Sequence, residues 1–400
     1  MEQVLYQLPE DWKWEILTDV TQFIGGSQPP KSEFSDKVKD GYVRLIQIRD
    51  YKTDAHIVYV DRNSTKKFCN RDDVMIGRYG PPVFQILRGL EGAYNVALMK
   101  AVPDEKVVSK DYLFAFLQSS PIQSYIVGLS QRAAGQSGVN KKALENYSIP
   151  IPPIQEQKRI VEKLDALLTR IDTAIEHLQE SITLADSLFE SSQSEIFNDV
   201  LTKYQHSTID EICTVTSSKR IFKADYVESG IPFYRTKEIV DLSKERDLST
   251  ELFIDKDMYL EISDKFGVPK KGDLLFSAVG TIGVMWIVDE REFYFKDGNL
   301  LWLKDMNGVI PEYLKSAISA VLTEKIKDRS QGAAYKAISI TNLKAFEIPL
   351  PSIEEQKLTV AKIEHISSLT KKTKQEIRLQ INDLQKLKAS ILDSAFKGEL

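Results

Sequence analysis

Two long segments, one in each half of the chain, have the most regular pattern of hydrophobic positions. In both, apolar or small residues recur at alternating steps of four and three, as in the a/d seam of a coiled coil. The first seam consists of Ile160, Leu164, Leu167, Ile171, Ala174, Leu178, Ala185 and Leu188. The second, interrupted by Thr370 and Thr373, consists of Ile363, Ile366, Ile377, Leu384, Leu387 and Ile391. The spacing predicts two helices of roughly 44 residues, each about 65 Å long.

The ends of these helices carry terminal signals. Ser352 and Glu355 have the spacing of a capping box before the second helix. Pro152 and Pro153 precede the first helix, where proline is tolerated only in the first turn. Gly398 is placed to end the second helix. A helix pair that merely closes a core is the alternative, but globular helices average near a dozen residues, so the length favours a coiled-coil pair.

The chain is a tandem repeat. Residues 149–163 read IPIPPIQEQKRIVEK and residues 348–362 read IPLPSIEEQKLTVAK, an offset of 199. Upstream the match is looser but stays in order. Asp73–Ile76 pairs with Asp273–Phe276, Gly80 with Gly280, and Ile46–Asp50 with Tyr234–Glu238. A duplicated frame therefore carries two different inserts.

Outside the long helices the patterning is mixed. Short β-branched runs predict strands at Val43–Ile48, Ile57–Val60, Leu274–Val279 and Val284–Val288. One further helix is predicted in each half, at Lys110–Leu129 and Pro311–Ile326. We expect an α+β fold with a first globular domain at 1–150, a first spacer helix at 151–200, a second domain at 201–347 and a second spacer helix at 348–400. If the two seams pair, connectivity requires the helices to be antiparallel, with the two domains at opposite ends of a rod and the chain termini near each other.

Composition limits the function. The 400 residues carry a net charge of −5, and segment 151–206 alone contributes −5. Cys69 and Cys213 are too few for a disulfide framework or a four-ligand zinc site. No run approaches the roughly 20 apolar residues of a membrane span, and the N-terminal MEQVLYQLPEDWKWEIL lacks the layout of a signal peptide. We expect a cytoplasmic protein with no membrane partner.

Each segment that resembles a catalytic or cofactor-binding motif lacks a residue that the motif requires. Residues 25–32, GGSQPPKS, nearly match a phosphate-binding loop, but Pro30 stands where the second glycine is needed and has no N–H to donate. Gly80-Pro81-Pro82-Val83 shares only its prolines with the NPPY motif of adenine methyltransferases. Asp104-Glu105-Lys106 is an isolated charged run, and the four histidines lack ligand spacing. We expect a binding protein with no catalytic or metal-binding residues.

Basic and amide side chains, some in basic clusters and some on repeat-matched loops, are the candidates for contact with DNA, and ordinary solvated surface charge is the alternative for each. Arginine reads guanine edges and glutamine reads adenine edges, while lysine adds phosphate affinity. The candidates are Lys31, Gln47, Arg49, Arg78, Arg132, Gln136, Lys141, Lys219, Arg220, Lys223, Arg235, Lys237 and Lys336.

These motifs resemble those of the specificity subunit of type I restriction-modification systems. The resemblance rests on LPEDWKWEIL, GGSQPP, SAVGTIG, the paired IPIPPIQEQKRIV and IPLPSIEEQKLTV segments, and the terminal SILDSAFKGEL. It implies two target recognition domains, each reading one half of a bipartite double-stranded DNA sequence, and helices that space them and dock two modification subunits. The second domain departs by having Thr216–Arg220 in place of a GGxP segment.

The same resemblance assigns the chemistry to partners. Modification subunits would hold S-adenosylmethionine, restriction subunits would use ATP and Mg²⁺, and this subunit would hold no cofactor. Two alternatives stay open at this stage. One is a fused methyltransferase with drifted motifs, and the other is a coiled-coil adaptor that binds only protein.

Overall fold

The structure is a computed structural model that describes residue 3 and residues 5–132, 138–328 and 337–400, without the side chains of 131–132 and 324–328. The chain divides into two compact units. Unit 1 contains Met1–Glu180 and Ile377–Leu400, and unit 2 contains Ser181–Glu376. Each unit therefore takes a part of both long helices.

The described residues of unit 1 form short strands and helices. The strands are β1 Lys13–Ile16, β2 Thr21–Gly25, β3 Tyr42–Ile46, β4 Tyr59–Asp61, β5 Phe68–Cys69, β6 Val74–Gly77, β7 Gln85–Leu87, β8 Gly92–Tyr94, β9 Leu98–Pro103 and β10 Ser148–Ile151. The α-helices are α1 Leu17–Val20, α2 Lys110–Leu117, α3 Ser120–Arg132, α4 Lys141–Glu145 and α5 Ile154–Lys203, the last of which continues into unit 2. Single 3₁₀ turns occur at Lys31–Glu33, Ile48–Tyr51 and Arg62–Ser64.

Unit 2 has a related order of elements, with two α-helices where unit 1 has the 3₁₀ turns Ile48–Tyr51 and Arg62–Ser64. Its strands are β11 His206–Thr208, β12 Thr214–Thr216, β13 Tyr226–Val227, β14 Ile231–Tyr234, β15 Phe253–Ile254, β16 Leu274–Ser277, β17 Met285–Ile287, β18 Tyr294–Phe295, β19 Leu300–Lys304 and β20 Glu347–Pro349. Its helices are α6 Ile209–Ile212, α7 Thr236–Ser243, α8 Lys256–Phe266, α9 Pro311–Asp328, α10 Ile340–Lys344 and α11 Ile353–Phe396, which ends in unit 1. A 3₁₀ turn occurs at Lys223–Asp225.

Each unit is built on two four-stranded sheets. The antiparallel sheets β2-β9-β6-β7 and β12-β19-β16-β17 have the same order. The other sheets, β4-β3-β8-β5 and β13-β15-β14-β18, share a parallel pair, β3 with β8 and β14 with β18. They differ at both edges: β5 pairs with β8 at one edge of the unit 1 sheet, whereas β13 pairs with β15 at the opposite edge of the unit 2 sheet. The predicted α+β tandem repeat is confirmed, and the divergence lies in the second sheet.

One predicted helix is wrong in extent. The segment Lys110–Leu129 forms two helices, α2 and α3, separated at Gln118–Ser119. Pro121 explains the break, because a proline has no N–H for the helical bond and its ring disfavours helical backbone in the preceding residue. Its counterpart in unit 2 has no proline after Pro311 and continues as the single helix α9.

The repeated glutamine of the IPxPxxEQ segments is fully buried and joins each long helix to its unit. Gln157 Oε1 accepts a hydrogen bond from the Ser109 N–H (2.9 Å), and its Nε2 donates to the carbonyls of Val107 and Pro152. Gln356 makes the equivalent bonds to Ile310, Gly308 and Pro351. Because buried polar groups are costly without partners, this amide fixes where each helix leaves its sheet.

The long helices pair antiparallel, as predicted, in both units. Lys388 binds Asp172 in unit 1 (2.6 Å) and Lys374 binds Asp186 in unit 2 (2.5 Å). Asp186 lies fourteen residues after Asp172 on α5, and Lys374 lies fourteen residues before Lys388 on α11. The two helices therefore pair in the same register in both units.

The predicted seam is wrong at two positions. Leu188 is 68% exposed and Leu387 is 49% exposed, while Phe189 and Lys388 take the inward places. A straight α-helix drifts by about 20° per heptad relative to a strict repeat of 3.5 residues. On α5 the seam therefore shifts by one residue. On α11 it holds Lys388, whose side chain is 33% exposed and whose ammonium reaches Asp172.

The described N-terminal segment and the C-terminal segment meet in unit 1, as expected. Tyr6 donates its hydroxyl hydrogen to the Phe396 carbonyl (2.6 Å), and Arg159 donates to the Leu400 carbonyl (2.7 Å). Helix α11 ends at Phe396, and Gly398 follows with φ 76°, the left-handed conformation that commonly ends a helix.

Candidate nucleic-acid interface

Four loops of unit 1 meet at one end of its sheets. The β8–β9 loop is central: Asn95 N–H donates to the Ile46 carbonyl (3.1 Å) in the β3 turn. The Ala97 carbonyl accepts from Arg78 N–H (2.8 Å) in the β6–β7 loop. The β2–β3 loop joins them through Ser27 N–H, which donates to the Tyr94 carbonyl (3.2 Å). These bonds hold the loops as one polar surface, which we call surface 1.

The GGSQPP segment is the tightest part of surface 1. A Cβ on Gly26 would lie 2.0 Å from the Asn95 carbonyl oxygen, so only glycine allows this approach. Gly26 thus has a packing role, and Pro30 and Lys31 that follow are exposed.

Surface 1 brings together most of the first-domain candidates. Gln47 is half-buried in the β3 turn, and Arg49 is exposed beside it. Arg78 donates from Nη1 to the Val96 carbonyl (3.2 Å) and lies 5.1 Å from the Tyr79 ring centroid. Lys31 is exposed in the first 3₁₀ turn.

The remaining first-domain candidates are Arg132, Gln136 and Lys141. Lys141 begins α4, two residues after Val139, whose N–H donates to the Arg78 carbonyl (2.9 Å). Lys141 is exposed and lies 3.4 Å from Glu145. The side chain of Arg132 and the whole of Gln136 lie outside the described residues.

Unit 2 has the same loop arrangement, which we call surface 2. Lys296 N–H donates to the Tyr234 carbonyl (2.9 Å), and Ala278 N–H donates to the Asn299 carbonyl (2.8 Å). The β12 loop joins them through Lys219 N–H, which donates to the Tyr294 hydroxyl (2.7 Å). Although Thr216–Arg220 replaces the GGxP segment, it occupies the equivalent place after the first strand of the sheet.

Surface 2 presents different side chains from surface 1. Ala278 stands where unit 1 has Arg78, so that cation is lost. Lys219 and Arg220 are added, and the Arg220 Nε donates to Asp297 (2.7 Å). Lys223 begins the 3₁₀ turn equivalent to that of Lys31. The two surfaces share a backbone frame and differ in chemistry.

Arg235 is held in place by two carboxylates. Its Nη2 donates to Glu238 (2.7 Å) and to Glu251 (3.1 Å), and its Nε also donates to Glu238. Lys237 is exposed and lies 3.5 Å from Glu251. Burial opposes ionisation of Glu238, but hydrogen bonds from Arg235 keep its pKa below the ordinary value. Lys336 lies outside the described residues.

Two buried carboxylates at these surfaces were not among the predicted site residues. Asp50 accepts from Gln47 N–H (3.1 Å), and Glu238 accepts from Arg235 N–H (2.8 Å), each closing the turn after the parallel strand. The pairing of Ile46–Asp50 with Tyr234–Glu238 contained this signal. An acidic residue three positions after a turn residue is the spacing of a cap.

The two cysteines of the chain, Cys69 and Cys213, are both buried. Burial raises the pKa of Cys69 to about 11 and that of Cys213 to about 12, so both thiols stay protonated at neutral pH. Among the described residues, no three His, Cys, Asp or Glu side chains are grouped so that they could hold a metal ion. Within the same residues, no helix is both long and apolar enough to cross a membrane.

The sequence of this chain also matches a known protein family. The profile of the family described as "Type I restriction modification DNA specificity domain" matches residues 9–184 and again residues 202–382. The chain belongs to this family. It is a type I restriction-modification DNA specificity subunit with two DNA recognition domains, one in each repeat.

Specificity subunits of known systems match over most of their length. The EcoBI specificity subunit of Escherichia coli is 24% identical over 99% of this chain and 88% of its own length. The EcoKI specificity subunit of the same species is 24% identical over 98% and 90%. A putative specificity subunit of Haemophilus influenzae is 27% identical over 71% of each chain.

Solved structures share the fold. A chain from a study of complex assembly and conformational transition in the type I system aligns with a TM-score of 0.75, covering 99% of this chain and 100% of that one, at 20% identity. The HsdS subunit of Thermoanaerobacter tengcongensis aligns over the full length of both chains with a TM-score of 0.57 at 20% identity.

Proposed function

We propose that each unit of this specificity subunit reads one half of a bipartite, asymmetric sequence in double-stranded DNA. Surface 1 reads one half-site and surface 2 reads the other. The unspecified spacer between the halves is set by the length of α5 and α11. Phosphate contacts from exposed lysines position the subunit, while arginine and amide side chains read base edges.

One observation carries this proposal. The same hydrogen-bonded loop frame occurs twice in the chain with different polar side chains, as Arg78 against Ala278 illustrates. A shared frame with different side chains supports two readers with different targets. Several cations of these surfaces are paired with carboxylates, such as Arg220 with Asp297 and Lys141 with Glu145. DNA phosphates would replace these carboxylates as partners.

The chemistry belongs to partner subunits in this proposal. Two modification subunits dock on the long helices and bring S-adenosylmethionine for adenine methylation. Restriction subunits join them and bring ATP and Mg²⁺, and the specificity subunit itself contributes no catalytic group. The whole complex acts on genomic DNA in the cytoplasm. Near-neutral recognition domains fit this assembly, because phosphate neutralisation supplies much of DNA affinity and the partners would add positive surface.

A domain exchange tests the division of labour. The complex with modification subunits is expressed in a host without methylation of its own, and methylated adenines are mapped by sequencing. Replacing residues 207–347 with the second domain of another specificity subunit changes one half of the methylated sequence. The half read by surface 1 and the spacer stay the same. A change in both halves would contradict independent reading, and absence of any sequence-specific methylation would contradict the function itself.

A further inference from the structure

An exposed aromatic side chain stands among the cations of surface 2. Phe222 is 65% exposed, although a phenyl ring is ordinarily buried. It lies between Arg220 and Lys223, both exposed, and three positions after the exposed Lys219. An apolar ring surrounded by positive charge has the composition of a contact to nucleic acid.

The backbone holds Phe222 rigidly. Its N–H donates to the Asp225 carboxylate (2.9 Å), and its carbonyl accepts from the Asp225 N–H (3.0 Å). The preceding Ile221 is buried in a cluster with Phe233 and Tyr259. Anchors on both sides therefore fix the backbone of this loop, from which the exposed phenyl ring extends.

Unit 1 has an apolar residue at the same place. Pro30 precedes the 3₁₀ turn that begins at Lys31, just as Phe222 precedes the turn that begins at Lys223. The Pro30 carbonyl accepts from Glu33 N–H (2.9 Å), the same bond that Phe222 makes with Asp225. Pro30 is also exposed. The frame thus presents an exposed apolar residue followed by a lysine in each unit.

The neighbouring charges complement a phosphate backbone. Lys219 extends over the ring of Phe266 with its Nζ 5.4 Å from the centroid, and Phe266 is itself exposed. The Arg220 guanidinium is oriented by Asp297. Cations on both sides of Phe222 would bring the backbone of a duplex against the loop and the ring against its groove.

We propose that Phe222 is a DNA wedge, which inserts between two adjacent base pairs of the second half-site and partly unstacks them. This inference rests on the proposed function and adds a specificity-determining residue to it. Apolar wedges, including phenylalanine and proline, kink duplexes in this way. Because pyrimidine–purine steps unstack most easily, Phe222 selects such a step without any hydrogen bond to a base.

The test uses the complex with modification subunits and a duplex of the methylated sequence once it has been mapped. 2-Aminopurine replaces one base at a time across the second half-site, since its fluorescence rises when stacking is lost. Binding of the wild-type complex raises the fluorescence at a single base-pair step that does not contain the methylated adenine. Phe222→Ala abolishes this rise and weakens specific binding by roughly tenfold or more, in line with the loss of one stacked aromatic.

Matched variants separate the wedge from other effects. Phe222→Leu keeps an apolar wedge and retains the signal. Leu260→Ala removes another exposed apolar side chain of unit 2, 53% exposed, and leaves both signal and affinity as in the wild type. Lys223→Ala weakens binding to all sequences alike without moving the fluorescent step. Fluorescence at the methylated adenine, which the methyltransferase flips out, persists in every variant.

Two results would overturn the inference. If the wild-type complex binds its target specifically and Phe222→Ala leaves the fluorescence at every step unchanged, Phe222 is not a wedge, and the proposed function stands. If the wild-type complex shows no preference for the mapped sequence, the proposed function fails and the wedge fails with it.

Discussion

Asp50 and Glu238 close equivalent turns but differ in electrostatic balance. Burial raises the pKa of Asp50, because the bonds from Gln47 and the nearby arginines offset only part of the desolvation. In Glu238 burial is outweighed by the hydrogen bonds from Arg235, and its pKa is lowered. The contact distances agree: the Arg44 Nε is 3.7 Å from Asp50, whereas Arg235 is 2.7 Å from Glu238.

The two carboxylates therefore have opposite pH dependences. Glu238 contributes stability above its ordinary pKa, and this contribution is lost as the pH falls through its lowered folded pKa. Asp50 contributes stability only at low pH, and this is lost as the pH rises through its raised folded pKa. At pH 7, Glu238→Gln should destabilise the turn by about 1–2 kcal/mol, discounted because Arg235 is partly exposed and keeps Glu251. Asp50→Asn should change stability by less than about 1 kcal/mol, and in the stabilising direction.

Hydrogen exchange followed by mass spectrometry measures both effects in the full chain. At pH 7, Glu238→Gln should speed exchange in residues 231–243 by roughly tenfold, and Asp50→Asn should leave residues 42–51 unchanged or slower. Equal acceleration in the two segments would contradict the assigned difference between the two carboxylates.

Among the helices and strands, the long helices show how a polar seam position fixes register. Polar residues in a coiled-coil seam select one alignment at some cost in stability. Lys374 and Lys388 are two heptads apart on α11 and meet acids two heptads apart on α5. A slip of either helix by one turn would separate both lysines from their carboxylates, so each unit supports the same antiparallel register.

A charge reversal tests this register. Lys388→Asp places a carboxylate beside Asp172 and should destabilise unit 1 by about 1 kcal/mol, since the side chains are 33% and 55% exposed. Adding Asp172→Lys should recover about 0.5–1 kcal/mol of this loss. The control Lys372→Asp makes the same charge change at an exposed position of α11. Urea unfolding, followed by circular dichroism of the helices, gives the free energy of unfolding of each variant. A double variant no more stable than Lys388→Asp would show that the pair of Lys388 and Asp172 does not fix the register.

In the whole molecule, the length of the helices is the quantity that the proposed function uses. A seven-residue insertion between Leu178 and Gln179, matched by one between Ile381 and Asn382, keeps the seam in phase. Each helix then grows by about 10.5 Å, the length of roughly three base pairs. The spacer in the methylated sequence should lengthen by about three base pairs while both half-sites stay unchanged.

Methylation mapping of the lengthened complex provides the measurement. The control carries the insertion in one helix only, which puts the seams out of register and should abolish sequence-specific methylation. A complex that keeps its original spacer after the matched insertions would show that the helices do not set the distance.

The amino-acid sequence alone determined the duplication, the two long helices, the ends of the second one at Ser352 and Gly398, the α+β class and the strands β3, β4, β16 and β17. These are local or repeated patterns, and local backbone preferences act over one or two turns of chain. The tertiary structure decided which remote side chains meet. It paired Lys388 with Asp172, joined Arg235 to Glu251 and brought the Asn95 carbonyl against Gly26. Such contacts depend on how distant segments return to one another, and no periodicity along the chain records that path.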